Sequence, residues 1–148
     1  MLTPIHPLSW HDISTITQKL SASLQQLAPF TQMIAVTRGG LVPAGLLAHH
    51  LNIKNIQTIN VESYRDTTQG AVQFLGDKQH SLERCLVVDE LVDTGKTLAA
   101  IRALFPNAVL ATLYAKPLGK PFVDVFVEEV PQETWLSFPW EGDGEEGN

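Results

Sequence analysis

The sequence predicts an α/β fold built on a parallel sheet covered on both faces. Three observations lead there. Short β-rich runs alternate with helix-patterned stretches along the chain, several of those runs are apolar throughout, and the loops "RGG", "DELVDTGKT" and "AKP" all follow such runs. Strands that alternate with helices select parallel connections, and a strand buried on both faces loses the polar half of its period-two pattern. Ligands in such sheets bind at the carboxyl ends of the strands, so these three loops are expected to converge.

The elements follow in order. Residues 8–28 open with a helix signal: Ser9 and Asp12 have capping-box spacing, and Leu8 and Ile13 can close a hydrophobic staple across it. Trp10, Ile13, Ile16, Leu20, Leu24 and Leu27 then recur at steps of three and four, which predicts one buried stripe. "MIAVT", 33–37, is a strand that stops at "RGG", and a second helix begins near Pro43, a residue suited to a first turn. "IQTINVES", 56–63, reads as a strand. Residues 64–81 are polar, glycine-containing and longer than an ordinary connection, which predicts a mobile functional loop or a hairpin. "RCLVVDE" is a strand, "TGKTLAAIRALF" a helix, and 108–115 and 122–130 are two further strands.

The 148 residues fit one domain, taken as 1–140, followed by the acidic tail 141–148, whose glycines and carboxylates predict disorder. With 44% hydrophobic and 18% charged residues the chain is an ordinary globular protein able to bury a core. The net charge of −6 argues against sequence-independent nucleic-acid binding. No apolar run is long enough to cross a bilayer, and the N-terminus lacks the order of a signal peptide. The single cysteine, Cys85, forms no internal disulfide, fits a reducing cytoplasm, and reads as a small core residue within its apolar run.

"LVVDELVDTGKT", 86–97, ends in the Gly-Lys-Thr of a nucleoside-triphosphate loop. Such a loop requires glycine five residues before Gly95, where the chain has Glu90; a carboxylate there repels a triphosphate. The order of parts fits another phosphate. Asp89 and Glu90 end a strand and suit hydroxyls and a hard cation such as Mg²⁺. After two apolar residues, Asp93-Thr94-Gly95-Lys96-Thr97 turns into a helix, whose N-terminal amides and hydroxyls can hold one terminal phosphate. A phosphorylated, activated ribose satisfies both halves.

This stretch resembles the phosphoribosyl diphosphate (PRPP) signature of the type I phosphoribosyltransferases: apolar strand, two acids, two apolar residues, Asp-Thr-Gly-x-Thr. "IAVTRGGLVPAGLLAHHL", "LYAKPLGKPFVDVFVEEVPQETW" and "PWE" extend the resemblance over about residues 10–141, to the bacterial xanthine-guanine phosphoribosyltransferases. It implies a mostly parallel five-stranded sheet flanked by helices, with a small hood. It also implies Mg²⁺ dependence, assembly into tetramers, and a cytoplasmic location that extends in the family to the periphery of the inner membrane.

By that resemblance Thr94, Gly95, Lys96 and Thr97, with the Asp93 end of the loop, cradle the 5-phosphate. Asp89 and Glu90 address the ribose hydroxyls and Mg²⁺, Glu90 being nearer the metal. Arg38, Gly39 and Gly40 match the diphosphate loop, with Thr37–Arg38 the counterpart of the family's cis peptide. Asp93 is similar to the base beside the purine imidazole. Lys116 matches the lysine on the 6-oxo group, Trp135 the aromatic on which the purine stacks, and Leu136 the neighbour whose backbone meets its exocyclic edge. Taken singly, most of these residues have plain readings: a helix cap for Asp93, a surface lysine, a core tryptophan. Glu141 stands where the family commonly has Asp.

The chain departs from the family at Lys96, where glycine is usual, and at Glu90, where Asp is. A hood arginine position falls near Gly70, leaving Arg65, and Tyr64 matches a hood tyrosine. The implied function is transfer of the phosphoribosyl group from PRPP to guanine, xanthine or hypoxanthine. A non-catalytic PRPP or nucleotide sensor on the same fold is the alternative, and an ATPase is disfavoured by Glu90.

Overall fold

A computed structural model describes residues 3–62, 71–74 and 84–142. Within them the chain runs β1 (Ile5–Pro7), α1 (Trp10–Gln25), β2 (Gln32–Val36), α2 (Leu41–Leu51), β3 (Ile56–Glu62), β4 (Ala71–Phe74), β5 (Cys85–Val92), α3 (Lys96–Leu104), β6 (Val109–Ala115), a 3-10 turn (Lys120–Phe122), β7 (Val125–Glu129) and β8 (Trp135–Ser137). The main sheet has the order β4-β3-β2-β5-β6-β7. All neighbours are parallel except β3 and β4. The five expected strands form the parallel part, and β4 adds an antiparallel edge. Residues 63–70 and 75–83, with Tyr64, Arg65 and Gly70, lie outside the described residues, as does 143–148 of the tail.

The burial pattern explains why the strands are apolar throughout. In β2, Met33 and Ala35 face the side covered by α1 and α2, while Ile34 and Val36 face the side covered by α3. β5 repeats the division, with Leu86 and Val88 on one side and Cys85 and Val87 on the other. Alternate side chains point to opposite faces, so two covered faces require two apolar sets. Cys85 is fully buried and its thiol is pushed up to about 12 by that burial, which keeps it un-ionised and inert.

The capping box of α1 is present in both directions: Asp12 N donates to Ser9 Oγ at 3.0 Å, and Ser9 N to Asp12 Oδ2 at 2.8 Å. Leu8 and Ile13 are buried in one cluster, as a staple requires. The stripe is narrower than the spacing predicts. Ile13, Ile16, Leu20 and Leu24 are buried, but Trp10 is 56% exposed and Leu27 lies beyond the helix end. Trp10 leans instead on Trp140, ring centroids 6.1 Å apart.

Strand order fixes where a ligand can sit. The chain passes from β2 outward to β3 on one side, and β5, β6 and β7 extend the sheet on the other. The crevice between β2 and β5 is therefore the switch point, where loops leave in opposite directions. β2 ends there at Val36 and β5 at Val92. β1 and β8, unanticipated as strands, pair in parallel as a separate ribbon with Ile5 opposite Trp135. It rests on the α1 side through Leu8, Leu136 and Phe138.

Candidate active site

The loop after β2 is held by backbone. Gly40 N donates to Val36 O at 2.8 Å, Thr37 N donates to Ile59 O at 2.9 Å, and the Thr37–Arg38 peptide is cis. Gly40 is pressed so closely on the sheet that a Cβ would lie 2.4 Å from Val88 O and 2.7 Å from Val36 O. Gly39 faces β5: a Cβ there would fall 1.3 Å from Glu90 Oε2. The loop 38–40 and the acid pair 89–90 are thus in contact across the switch point, as the sequence predicted.

Asp89 is 8% exposed, and its Oδ1 accepts from Glu90 N at 2.8 Å. Burial, then the adjacent Glu90 charge, holds its carboxyl well above the usual range, against the opposing pull of that amide. The acids do not end the strand as the sequence predicted: β5 runs on through Leu91 and Val92, which still pair with β6. Two adjacent carboxylates in the last half of β5, one of them nearly dry, form a donor set that a hard divalent cation would relieve. Among the described residues no group of three or more His, Cys, Asp and Glu side chains is arranged to hold a metal, so a ligand's oxygens would have to complete such a shell.

Beyond the acids the chain turns into α3. Gly95 caps the helix at φ 95°, a left-handed conformation that costs other residues about 1–2 kcal/mol, and a Cβ there would meet Phe122 at 2.1 Å. Lys96 opens α3 with an exposed side chain and no positive φ; among the described residues the non-glycines at positive φ are Asn52 and Arg84. The loop that fixed Gly95 therefore leaves Lys96 unstrained. Residues Asp89 through Leu98 line a cavity of about 230 Å³, so the two acids and the α3 N-terminus share one set of walls. A larger cavity of about 620 Å³ lies beside α1, lined by His6, His11, Lys19, Tyr114 and Glu128 among others. The smaller one combines carboxylates with a helix N-terminus and marks the chemistry better than size does.

At the next strand end Lys116 is buried, its side chain 6% exposed, and its Nζ lies 3.3 Å from Asp93 Oδ2. Its backbone N donates to Val92 O, which ties β6 to β5 at this point. Gln132, which sequence reasoning passed over, contacts the same carboxylate: Nε2 donates to Asp93 Oδ1 at 2.7 Å. Phe122 beneath Gly95 was also missed. A glutamine in a turn after Pro131 carries no signal that separates it from a solvated turn residue, and Phe122 was assigned to a strand.

The turn 131–134 leads into β8 and so to Trp135, half-buried, whose N donates to Pro4 O at 2.8 Å. The Leu136 side chain is buried in the core, which leaves its backbone as the part able to meet a ligand. Glu141 folds back to accept from Phe138 N at 2.8 Å, so the chain is ordered one step into the segment expected to be disordered. Arg38 through Gly40, Asp89 through Thr97 and Lys116 therefore gather at neighbouring strand ends, with Trp135 joined to them through the Gln132 turn.

Residues 6–143 match the phosphoribosyl transferase domain. Among solved structures, the purine phosphoribosyltransferase of Pyrococcus horikoshii Ot3 is 28% identical, with a TM-score of 0.81 over 97% of this chain and 98% of that one. The xanthine-guanine-hypoxanthine phosphoribosyltransferase of Helicobacter pylori is 24% identical, with a TM-score of 0.80 over 96% and 95%. A hypothetical protein from Neisseria gonorrhoeae with bound ppGpp shares the fold at 20% identity and a TM-score of 0.69, over 97% and 93%. With its five-stranded parallel sheet, its acid pair and its phosphate-type turn, the chain belongs to the phosphoribosyltransferase family and has the type I fold.

Proposed function

We propose that this chain is a purine salvage enzyme that transfers the 5-phosphoribosyl group of PRPP to a 6-oxo purine and releases diphosphate. The observation that carries it is the contact between Lys116 and Asp93 at the mouth of the phosphate-type turn. A PRPP-binding protein needs the turn and the acids; it has no use for a buried ammonium and a carboxylate paired beside them.

The 5-phosphate lies on the α3 N-terminus, held by the amides and hydroxyls of Thr94, Gly95, Lys96 and Thr97. Asp89 and Glu90 accept from the ribose hydroxyls, and they are the carboxylates that would hold Mg²⁺. When bound, Mg²⁺ neutralises charge on the departing diphosphate. Arg38, Gly39 and Gly40 receive that diphosphate through guanidinium and backbone amides. Lys116 donates to the 6-oxo group and disfavours a 6-amino group, which brings donors of its own. Trp135 stacks on the purine and the Leu136 backbone meets its exocyclic edge. As the bond between the anomeric carbon and diphosphate oxygen breaks, a purine ring nitrogen bonds to that carbon and Asp93 accepts the ring proton. The proposed protein is a cytoplasmic homotetramer.

A second reading is favoured by one finding: the Neisseria gonorrhoeae protein of this fold holds ppGpp, so the same scaffold can bind a nucleotide. Incubation with PRPP, Mg²⁺ and guanine, xanthine, hypoxanthine or adenine in turn separates the two. Nucleotide formed with oxo purines supports the enzyme. Tight binding of PRPP or ppGpp with no product from any base supports a sensor.

A further inference from the structure

Three loops leave neighbouring strand ends around Asp93, and one side chain joins them. Gln132, in the turn between β7 and β8, accepts from Leu118 N at 2.9 Å through its Oε1. Its Nε2 donates to Asp93 Oδ1 at 2.7 Å and lies 3.4 Å from the Asp93 carbonyl oxygen. The orientation of the amide is fixed by its partners, because a backbone N–H can only donate and a carboxylate can only accept. Lys116 takes the other carboxylate oxygen. Asp93 is itself half-exposed, with its side chain 53% accessible, so among the described residues these two contacts hold it against rotating into water.

We infer that Gln132 is a positioning residue: it fixes the Asp93 carboxylate in the orientation in which that group meets the purine ring. This inference rests on the function proposed above. A carboxylate with one oxygen on an amide and one on an ammonium has a single preferred rotamer, and it keeps unshared lone pairs for an incoming ring N–H. Gln132 thereby couples the segment that carries Trp135 to the β5–α3 turn, so stacking surface and base are set by one side chain. Its contact with Leu118 N anchors it independently of any ligand.

The test uses full-length Gln132→Met and Gln132→Glu. Methionine keeps length and loses both hydrogen bonds; glutamate keeps an acceptor for Leu118 N and places a like charge on Asp93. Steady-state kinetics over a pH series, melting temperature and a ¹³C titration of the Asp93 carboxyl are the readouts. Gln132→Met is expected to lower kcat about 10-fold or more, with the KM for PRPP within about twofold of wild type. Gln132→Glu is expected to move the acid limb of kcat/KM, and the Asp93 carboxyl titration, to higher pH, because a like charge disfavours ionisation. Wild-type kcat, pH profile and carboxyl titration in both folded variants would overturn the inference. A wild-type chain that forms no nucleotide with any base would sink the function instead, and the carboxyl titration would still decide whether Gln132 controls Asp93. Should Gln132→Met melt early, the Gln132→Glu profile carries the decision alone.

Discussion

Lys116 Nζ lies 3.3 Å from Asp93 Oδ2, joining the end of β6 to the turn that follows β5. The lysine is nearly buried while its partner is half in water, 6% against 53% of side-chain surface. An ammonium so enclosed needs a counter-charge, and here it has one that also faces a cavity. Lys116→Met is expected to keep the fold, since an apolar chain of similar length replaces a desolvated ion at little cost. Its kcat/KM for oxo purines should fall about 10–100-fold, the worth of one charged hydrogen bond. Melting curves and steady-state kinetics check both halves.

Gly39 and Gly40 are neighbours that should respond in opposite ways. An alanine Cβ at Gly40 meets two backbone carbonyls, at 2.4 and 2.7 Å, and neither can yield. At Gly39 it meets the tip of the Glu90 side chain, which can rotate away. Gly40→Ala should therefore lower the melting temperature severely. Gly39→Ala should melt near wild type yet lose PRPP affinity, because Glu90 has been pushed away from the loop 38–40 that we propose receives the diphosphate. Calorimetric titration of PRPP with Mg²⁺ on the two variants measures this.

Gly95→Ala should cost about 1–2 kcal/mol for its φ of 95°, plus the collision with Phe122. At about 2–4 °C per kcal/mol the melting temperature drops by several degrees. Adding Phe122→Ala relieves the collision but leaves the backbone strain, so the double variant should recover part of the loss relative to Phe122→Ala alone.

Asp89 ties stability to pH. Its carboxyl is raised in the folded chain, mainly by burial, so the native state holds that proton more tightly than the unfolded state does. Stability from this group is present at low pH and is lost as pH rises from about 3.9 through the folded value. Asp89→Asn should flatten that dependence and raise the metal-free melting temperature at neutral pH, while abolishing Mg²⁺-dependent binding of PRPP. Melting without Mg²⁺ across a pH series reads it; an unchanged slope would remove the buried-charge explanation.

Lys96 is exposed at the first turn of α3 and free of backbone strain. Lys96→Gly should retain turnover and raise the KM for PRPP a few-fold, with a weaker dependence on salt, because one screened cation has left the proposed 5-phosphate site. Complete loss of turnover would contradict this.

The sheet and the turn that leads from the acid pair into α3 were legible because both rest on local rules. Two-sided burial writes apolar runs, and the turn into α3 requires glycine at 95 in a fixed relation to the acids at 89 and 90. What stayed hidden depended on contacts distant in sequence. β1 and β8 are three residues each and pair the two ends of the chain, so neither has a periodic signal. Trp10 has the spacing of a core residue but sits at the first position of α1, where the stripe has not yet reached the sheet. Gln132 acquires its meaning only through Leu118 and Asp93, 14 and 39 positions away.

The most direct measurement is nucleotide formation from PRPP and guanine with Mg²⁺, by the wild-type chain and Asp93→Asn side by side. An amide at 93 keeps the shape of the carboxylate and cannot take the ring proton. The expected result is turnover by the wild type and a loss of about 10²-fold or more in kcat for the variant, with PRPP still bound. Equal rates in the two proteins, or no nucleotide from the wild type with any oxo purine, would contradict it.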